Sequence, residues 1–322
     1  MPSLVRFAAV FMLTLFAGLG AASAADYPVR PVKWIVPYPP GGTTDVLARI
    51  VAQWLTERLG QHVIVENKPG AGNNIGTEAV VKASPDGYTM LLVNPANGIN
   101  ASLYKNLNFN FVRDIAPVAG IVRTPNVMVV TAKLPVKSVA EFIAYCKENP
   151  AKINMASSGN GTSTHLSGEL FKSMTGCNML HVPYKGAGPA LTDLIAGQVQ
   201  VFFDNLPSSA PHINGGSIRA LAMTSAAREP SMPDVPTVGD TVPGYEATAW
   251  FGIGMPLGSP REAIDRINAE MNRALAEPKL RERLAALGGQ PIPGTPEDFG
   301  KVIVDETEKW AKVVAASGAK VD

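Results

Sequence analysis

Three stretches of this chain combine glycines, hydroxyl-bearing side chains and amides in patterns suited to capturing an anion. The first is Tyr38-Pro39-Pro40-Gly41-Gly42-Thr43. Its prolines stiffen the loop, and Gly41 and Gly42 let a ligand approach the backbone N–H groups. A helix starting there would add unpaired N–H donors and a partial positive charge. The same residues also read as a tight strand-to-helix turn with Thr43 or Thr44 as N-cap. On the first reading, a valine at Gly41 should block the approach of a ligand. The second stretch is Ser157-Ser158-Gly159-Asn160-Gly161-Thr162-Ser163-Thr164-His165. It offers hydroxyls, two glycines and a further helix entrance, or a polar loop capped by Ser163 or Thr164. Its Gly-x-Gly lacks the third glycine of a dinucleotide fingerprint and the Gly-Lys-Ser/Thr ending of a P-loop, so it points to an anion without pointing to a nucleotide. The third is Asp204-Asn205, with Asn94-Pro95-Ala96-Asn97 as a weaker parallel. Such side chains bond a ligand or cap a local turn.

Two other chemistries are open to these residues. Ser157 or Ser158 beside His165 could serve an exported serine hydrolase, but nucleophilic catalysis needs a base oriented by a third group. The chain has no Gly-x-Ser-x-Gly elbow and four histidines in all. His165 and Glu169 share a helical face, yet no third ligand stands at a recognisable spacing, so no metal is predicted. The expectation is a non-enzymatic protein with no catalytic residues, metal or cofactor.

Loops of this kind need strands and helices to hold them. Apolar runs at Val32–Pro37, His62–Glu66, Thr89–Val93, Val127–Thr131, Ile153–Ala156, Met179–Val182, Val199–Phe203, Arg219–Met223 and Gly252–Met255 predict strands. Three- and four-residue spacing of apolar side chains predicts helices at Thr43–Leu59, Thr77–Ala83, Val139–Glu148 and Thr164–Met174. Proline-opened helices are predicted at Pro260–Leu275, Pro278–Leu287 and Pro296–Ser317. Strand–helix alternation predicts an α/β fold of largely parallel sheets covered by helices on both faces. In such sheets ligands bind beyond the carboxyl ends of the strands, which is where the three stretches lie.

Met1–Ala24 carries one cation, Arg6, then an apolar run from Phe7 to Leu19 and a small-residue exit at Ala22-Ser23-Ala24. These are the parts of a secretory signal peptide spanning residues 1–25, cleaved near Ala24 or Ala25. The run is shorter than the ~20 residues of a membrane span, and an uncleaved anchor is the alternative. Removing Arg6 leaves 27 basic against 27 acidic residues. A neutral chain lacks the clustered positive charge of a nucleic-acid surface. Hydrophobic content of 46% with 17% charged residues fits a chain with substantial cores, and the length fits two domains. Cys146 and Cys177 could form a disulfide in an oxidising compartment if their elements pack together, or remain buried thiols.

The blocks YPVRPVKWIVPYPPGGTTDVLAR, NKPGAGNNIGTEAV, ASPDGYTMLLV, SSGNGTSTHLSGELFKSMTG, HVPYKGAGPALTDLIAGQVQVFFDNLPS and DVPTVGD, in this order and spacing, closely resemble the substrate-binding proteins of tripartite tricarboxylate transporters, also called Bug receptors. The resemblance runs through essentially the whole mature chain. It implies a periplasmic binding protein of the two-lobed, type II-like kind, expected as a monomer. Such a receptor closes on a small carboxylate-bearing solute and delivers it to membrane permease subunits. The loop Tyr38–Thr43 would grip the carboxylate, partly through ordered waters, and Ser157–His165 would complete the grip. Asp204 and Asn205 match a segment lining the same cleft. Family members often carry phenylalanine where this chain has Tyr38, so no relative's ligand preference carries over. One lobe would comprise residues 26–125 and 248–322 and the other 126–247, with crossings near Arg123–Asn126 and Ala247–Phe251. A solute sensor working with a two-component system would use the same lobes. The identity of the acid stays open.

Overall fold

The central apolar runs fold as strands whose two faces are both covered. In β1 (Val32–Val36) Trp34 and Ile35 are both buried, on opposite faces. The computed structural model describes residues 27–317, Ala319 and Val321; the signal peptide read at residues 1–25 lies outside them. After β1 come α1 (Thr43–Leu59), β2 (Val63–Asn67), α2 (Asn74–Val81), β3 (Thr89–Val93), α3 (Pro95–Leu103), the single turn α4 (Phe111–Asp114) and the long β4 (Ile115–Thr131). Then follow α5 (Val139–Glu148), β5 (Asn154–Ser157), α6 (Ser163–Thr175), β6 (Leu180–Pro183), α7 (Ala187–Ala196), β7 (Val201–Asn205), α8 (Leu206–Asn214) and β8 (Ile218–Met223). The chain returns through β9 (Thr248–Pro256) and ends with α9 (Arg261–Ala276), α10 (Pro278–Ala285), β10 (Gln290–Pro291) and α11 (Pro296–Ser317).

The strands make one mixed, curled sheet in the order β2-β1-β3-β9-β4-β7-β5-β6, with β8 and β10 also paired to β4. Parallel pairing holds at its outer parts, β2-β1-β3 and β7-β5-β6. The middle is antiparallel because β4 and β9 cross it in opposite senses. The sequence predicts a strand only at Val127–Thr131; β4 begins twelve residues earlier, at Ile115. From Ile115 to Pro125 it lies along β9, and from Asn126 onward along β7 and β8. The exchange falls at Pro125, which has no N–H to give a ladder. There the Asn126 carbonyl accepts the N–H of Thr224 at 2.9 Å, and the Thr224 hydroxyl stands 2.5 Å from the Ala247 carbonyl.

The apolar interior divides along the same line, giving the two-lobed α/β architecture. Trp34, Leu47, Met90, Phe251 and Ile267 pack on one face of the first half-sheet, and Ile35, Leu91, Trp250 and Phe299 on the other. In the second half, Phe142, Phe171, Phe203 and Tyr245 pack on one face and Leu191, Phe202 and Leu206 on the other. A smaller cluster joins Ile99 and Leu103 of α3, Leu166 of α6, Ala247, and Trp310 and Val314 of α11. Cys146 and Cys177 are buried in the second lobe as free thiols, with Cys146 Sγ 3.8 Å from the Asn178 carbonyl. The bridge considered from the sequence is not made in this structure, and the pair serves as small apolar filling. Burial, reinforced by the neighbouring Cys177, pushes the Cys146 thiol up to about 12. No described helix is long and apolar enough to cross a membrane.

Candidate functional site

Five helices start at one small cavity. α1 brings Gly42, Thr43 and Thr44; α3 brings Asn94 and Pro95; α6 brings Thr162, Ser163 and Thr164; α7 brings Ala187; and α8 brings Asn205. Tyr38, Ser158 and Phe251 complete the wall, and the cavity volume is about 30 Å³. That is on the order of one or two waters, or of a carboxylate head. Among the described residues, none that lines it carries a formal charge. Its positive potential therefore comes from helix N-termini, each equivalent to roughly half an elementary charge. Three of the five, at Gly42, Gly186 and Asn205, have no side-chain cap, so their first N–H groups are left for a ligand or water.

The first loop folds differently from the sequence expectation. Gly42, not Thr43 or Thr44, is the N-cap, and both threonines face the cavity. Tyr38 lines it as expected, with burial raising its phenol above the ordinary range. Pro40 and Gly41 do not line it; both are exposed. The Gly41 N–H donates to Asp45 Oδ2 at 3.1 Å, and a Cβ added there meets nothing within 4 Å. A valine at Gly41 would thus strain a left-handed backbone (φ 90°) without blocking the cavity. Across the gap, Gly42 faces Ala187, whose Cβ would lie 3.6 Å from a Cβ at that glycine.

In the second stretch the N-cap is Thr162, one residue before the expected Ser163 or Thr164, accepting from the His165 N–H at 3.2 Å. Ser158, Thr162 and Ser163 line the cavity; Ser157, Gly161 and His165 stand behind it. His165 Nδ1 accepts the Gly161 N–H at 3.3 Å, and its ring stacks on His181 at 4.0 Å between centroids. Ser157 Oγ bonds His181 Nε2 at 2.6 Å and accepts from the Gly159 N–H at 3.2 Å. The stacked histidines thus buttress the loop. A hydrolase would need Ser157 or Ser158 paired with His165, but Ser157 is fully buried and bonded to His181 instead, and among the described residues Ser158 makes no hydrogen bond to His165. Glu169 lies 3.7 Å from His165 but is already held by Lys172 at 2.9 Å.

Burial first, then His181 and Lys172, lowers His165 to about 3; burial and Lys172 lower His181 to about 4. The unfolded chain takes up these protons near 6.5 while the folded chain does not. Their contribution is therefore complete above about pH 6.5 and is lost as pH falls toward 4. Asp204, whose carboxyl is raised, opposes this trend over the same range. The histidine effect is isolated by comparing the protein with His165→Gln in urea unfolding at several pH values. We expect the stability advantage of the native residue to shrink by about 3 kcal/mol between pH 7 and 4. An advantage that does not change with pH would show that His165 is not held neutral.

Asn94 and Asn97 form a reciprocal capping box at the start of α3. Asn94 also lines the cavity, whereas Asn97, bonded to Thr77, is purely structural. Asn205 faces the cavity and donates to Asn126 Oδ1 at 2.5 Å. Asp204 does not face it. It is fully buried, with Ser208 and Ser209 donating to Oδ2 at 2.5 and 2.7 Å.

A second, outer chamber of about 220 Å³ shares Tyr38 and Ser158 with the cavity. One wall is Gly70–Asn73 with Tyr104, and the facing wall is Gly159, Asn160 and Pro183–Lys185. Glycine-rich NKPGAGNN could have suggested the first wall, but the residues meet only because the lobes face each other. Ala187 and Phe251 were likewise not singled out as site residues from the sequence, and Thr44 was read there only as a cap.

Comparison with known proteins agrees with this architecture. Residues 47–319 match the family model described as tripartite tricarboxylate transporter family receptor. Protein BugT of Bordetella pertussis is 39% identical over 325 residues, covering 100% of this chain and 99% of BugT. Among solved structures, Rpa4515 of R. palustris with adipate is 39% identical, with a TM-score of 0.90 over 92% of this chain and 100% of that one. MatC of Rhodopseudomonas palustris with bound malate is 31% identical, with a TM-score of 0.85 over 89% of this chain and 100% of that one.

Proposed function

The chain belongs to the tripartite tricarboxylate transporter receptor family, and from that premise we propose that it is a periplasmic receptor which closes two lobes on a carboxylate-bearing solute and passes it to membrane permease subunits. The observation that carries this reading is the meeting of five helix N-termini at a cavity walled by neutral groups. A carboxylate bound there needs no buried arginine or lysine, which would require its own partner.

The lobes are residues 26–125 with 248–322, and residues 126–247, hinged where β4 changes partners and where β9 begins. Helices α1 and α3 belong to the first lobe and α6, α7 and α8 to the second, so a ligand in the cavity touches both. That is the condition for a ligand to favour the closed state. The head of the solute occupies the inner cavity and its body the 220 Å³ chamber, where Tyr38, Tyr104 and Asn160 offer hydroxyl and amide groups. This combination suits a short dicarboxylate, the class to which the adipate and malate of the two similar structures belong.

Thermal unfolding with four- to six-carbon dicarboxylates and their amides tests this directly. A binding acid at a hundredfold excess over Kd should stabilise the protein by about 2.7 kcal/mol. The corresponding amide should give no shift, because it lacks the charge that the helix termini hold. Equal shifts from acid and amide would remove the carboxylate from the reading.

A further inference from the structure

We infer that Asp204 is a positioning residue for the ligand carboxylate: its ionisation sets the direction of a hydroxyl relay, Asp204–Ser208–Thr43, and thereby whether Thr43 can offer its proton to the cavity. The inference rests on the carboxylate reading of the cavity.

The relay crosses from one lobe to the other. Asp204 ends β7 and is fully buried, with Oδ1 lacking a partner in the protein and Oδ2 receiving Ser208 and Ser209. Ser208 Oγ in turn lies 3.1 Å from Thr43 Oγ1, on the first turn of α1 at the cavity wall. Each hydroxyl has one proton to give. With Asp204 ionised, Ser208 spends its proton on the carboxylate and can only accept from Thr43. Thr43 then turns its lone pairs, not its proton, toward the cavity. With Asp204 protonated, its O–H donates to Ser208, and the Ser208 proton turns to Thr43 Oγ1 at 3.1 Å. The Thr43 proton is then free for a ligand oxygen.

No charged group of the described residues acts on Asp204. Ser208 and Ser209 face it from α8, Thr43 stands one step further on α1, and apolar Val127 is its neighbour on β4. Burial alone raises its carboxyl to about 6, against the lowering effect of hydrogen bonds from Ser208, Ser209 and the Asn205 N–H. Asp45 is held ionised by Arg49, Asn67 and the Gly41 N–H, and the histidine pair protonates only near pH 3–4. The sign follows: an arriving carboxylate favours protonated Asp204, so binding takes up protons and affinity falls as pH rises through about 6 and above.

The test uses the full mature chain, with adipate and malate as probes in calorimetry from pH 5 to 8, in buffers of different ionisation enthalpy. A charge-assisted hydrogen bond gained or lost predicts affinity about tenfold higher at pH 5.5 than at 7.5, with net proton uptake. Asp204→Asn, whose amide can donate to Ser208 as the acid does, should hold the high affinity at every pH. Ser208→Ala leaves Asp204 in place, cuts the relay and should also abolish the pH dependence; it keeps the test decisive should Asp204→Asn fail to fold. The same pH slope in either folded variant, or binding without proton uptake, overturns the relay while leaving the carboxylate site standing. If neither acid binds the unaltered protein at any pH, the dicarboxylate reading fails and the relay with it.

Discussion

Replacing Gly72 with valine should weaken carboxylate binding at least a hundredfold while leaving both lobes folded. Gly72 sits in the Gly70–Asn73 wall with φ 59°, and a Cβ there would stand 2.4 Å from the Asn160 carbonyl oxygen of the facing lobe. The other near atom, Tyr104 Oη at 2.7 Å, ends a side chain that can turn aside. The Asn160 carbonyl is backbone and moves only if the loop or the whole lobe moves. The substitution is therefore a wedge against closure, and an open protein holds its ligand from one lobe alone. A hundredfold loss is about 2.7 kcal/mol. The left-handed backbone adds strain of roughly 1–2 kcal/mol for a side chain. Gly216→Val isolates that strain, since Gly216 has φ 71° and open space where a Cβ would go. Calorimetry should show the loss in the Gly72 variant only, and scattering should show its radius unchanged by adipate. Tight binding by Gly72→Val would mean that the two loops need not meet.

The second large effect lies in the core that seats α6. Phe171 is fully buried, with ring centroids 5.3 Å from Phe203, 6.0 Å from Phe142 and 6.1 Å from Tyr245. Tyr245 in turn donates to the Ser167 carbonyl at 2.8 Å, pinning the middle of the helix. Phe171→Ala should cost about 3–5 kcal/mol in urea unfolding, through lost burial and the cavity left behind. Met174, on the same helix but 39% exposed, should cost within about 0.5 kcal/mol when changed to alanine. A small effect of Phe171→Ala would show that the second lobe can close over the space. The site should register the damage too, since the first turn of α6 carries Thr162, Ser163 and Thr164.

Much of this architecture is readable in the chain. Helix α1 is found where its apolar stripe predicts it, ended by Gly60 in the left-handed conformation, and β3 matches its predicted bounds. Three of the five helices that meet at the cavity were not predicted. Segments α3, α7 and α8 carry Pro95 and Gly98, Gly188 and Pro189, and Pro207 and Pro211. Such residues read locally as turns, and only packing against the sheet makes them helical. The roles of His181 and Asp204 escape local reading for a different reason. His181 meets Ser157 across 24 residues, and the Ser208 hydroxyl that Asp204 holds reaches Thr43 across 165. Spacing arguments see one element at a time, while these contacts exist only once strands have been placed side by side. Pro40 and Gly41 show the converse: residues apt for a ligand, turned to solvent by where the helix starts.

The cavity's charge is carried by backbone, and this has a consequence for how such a protein can diverge. A side-chain cation can be lost in one substitution, but a peptide dipole survives any replacement that preserves its helix. With five helices contributing, no one of them is indispensable to the field. On the proposed reading, the head of the solute can thus keep its grip while Tyr38, Tyr104, Asn160 and Tyr184 vary in the chamber behind it. Redundancy at the head is what leaves the tail free to drift toward new acids.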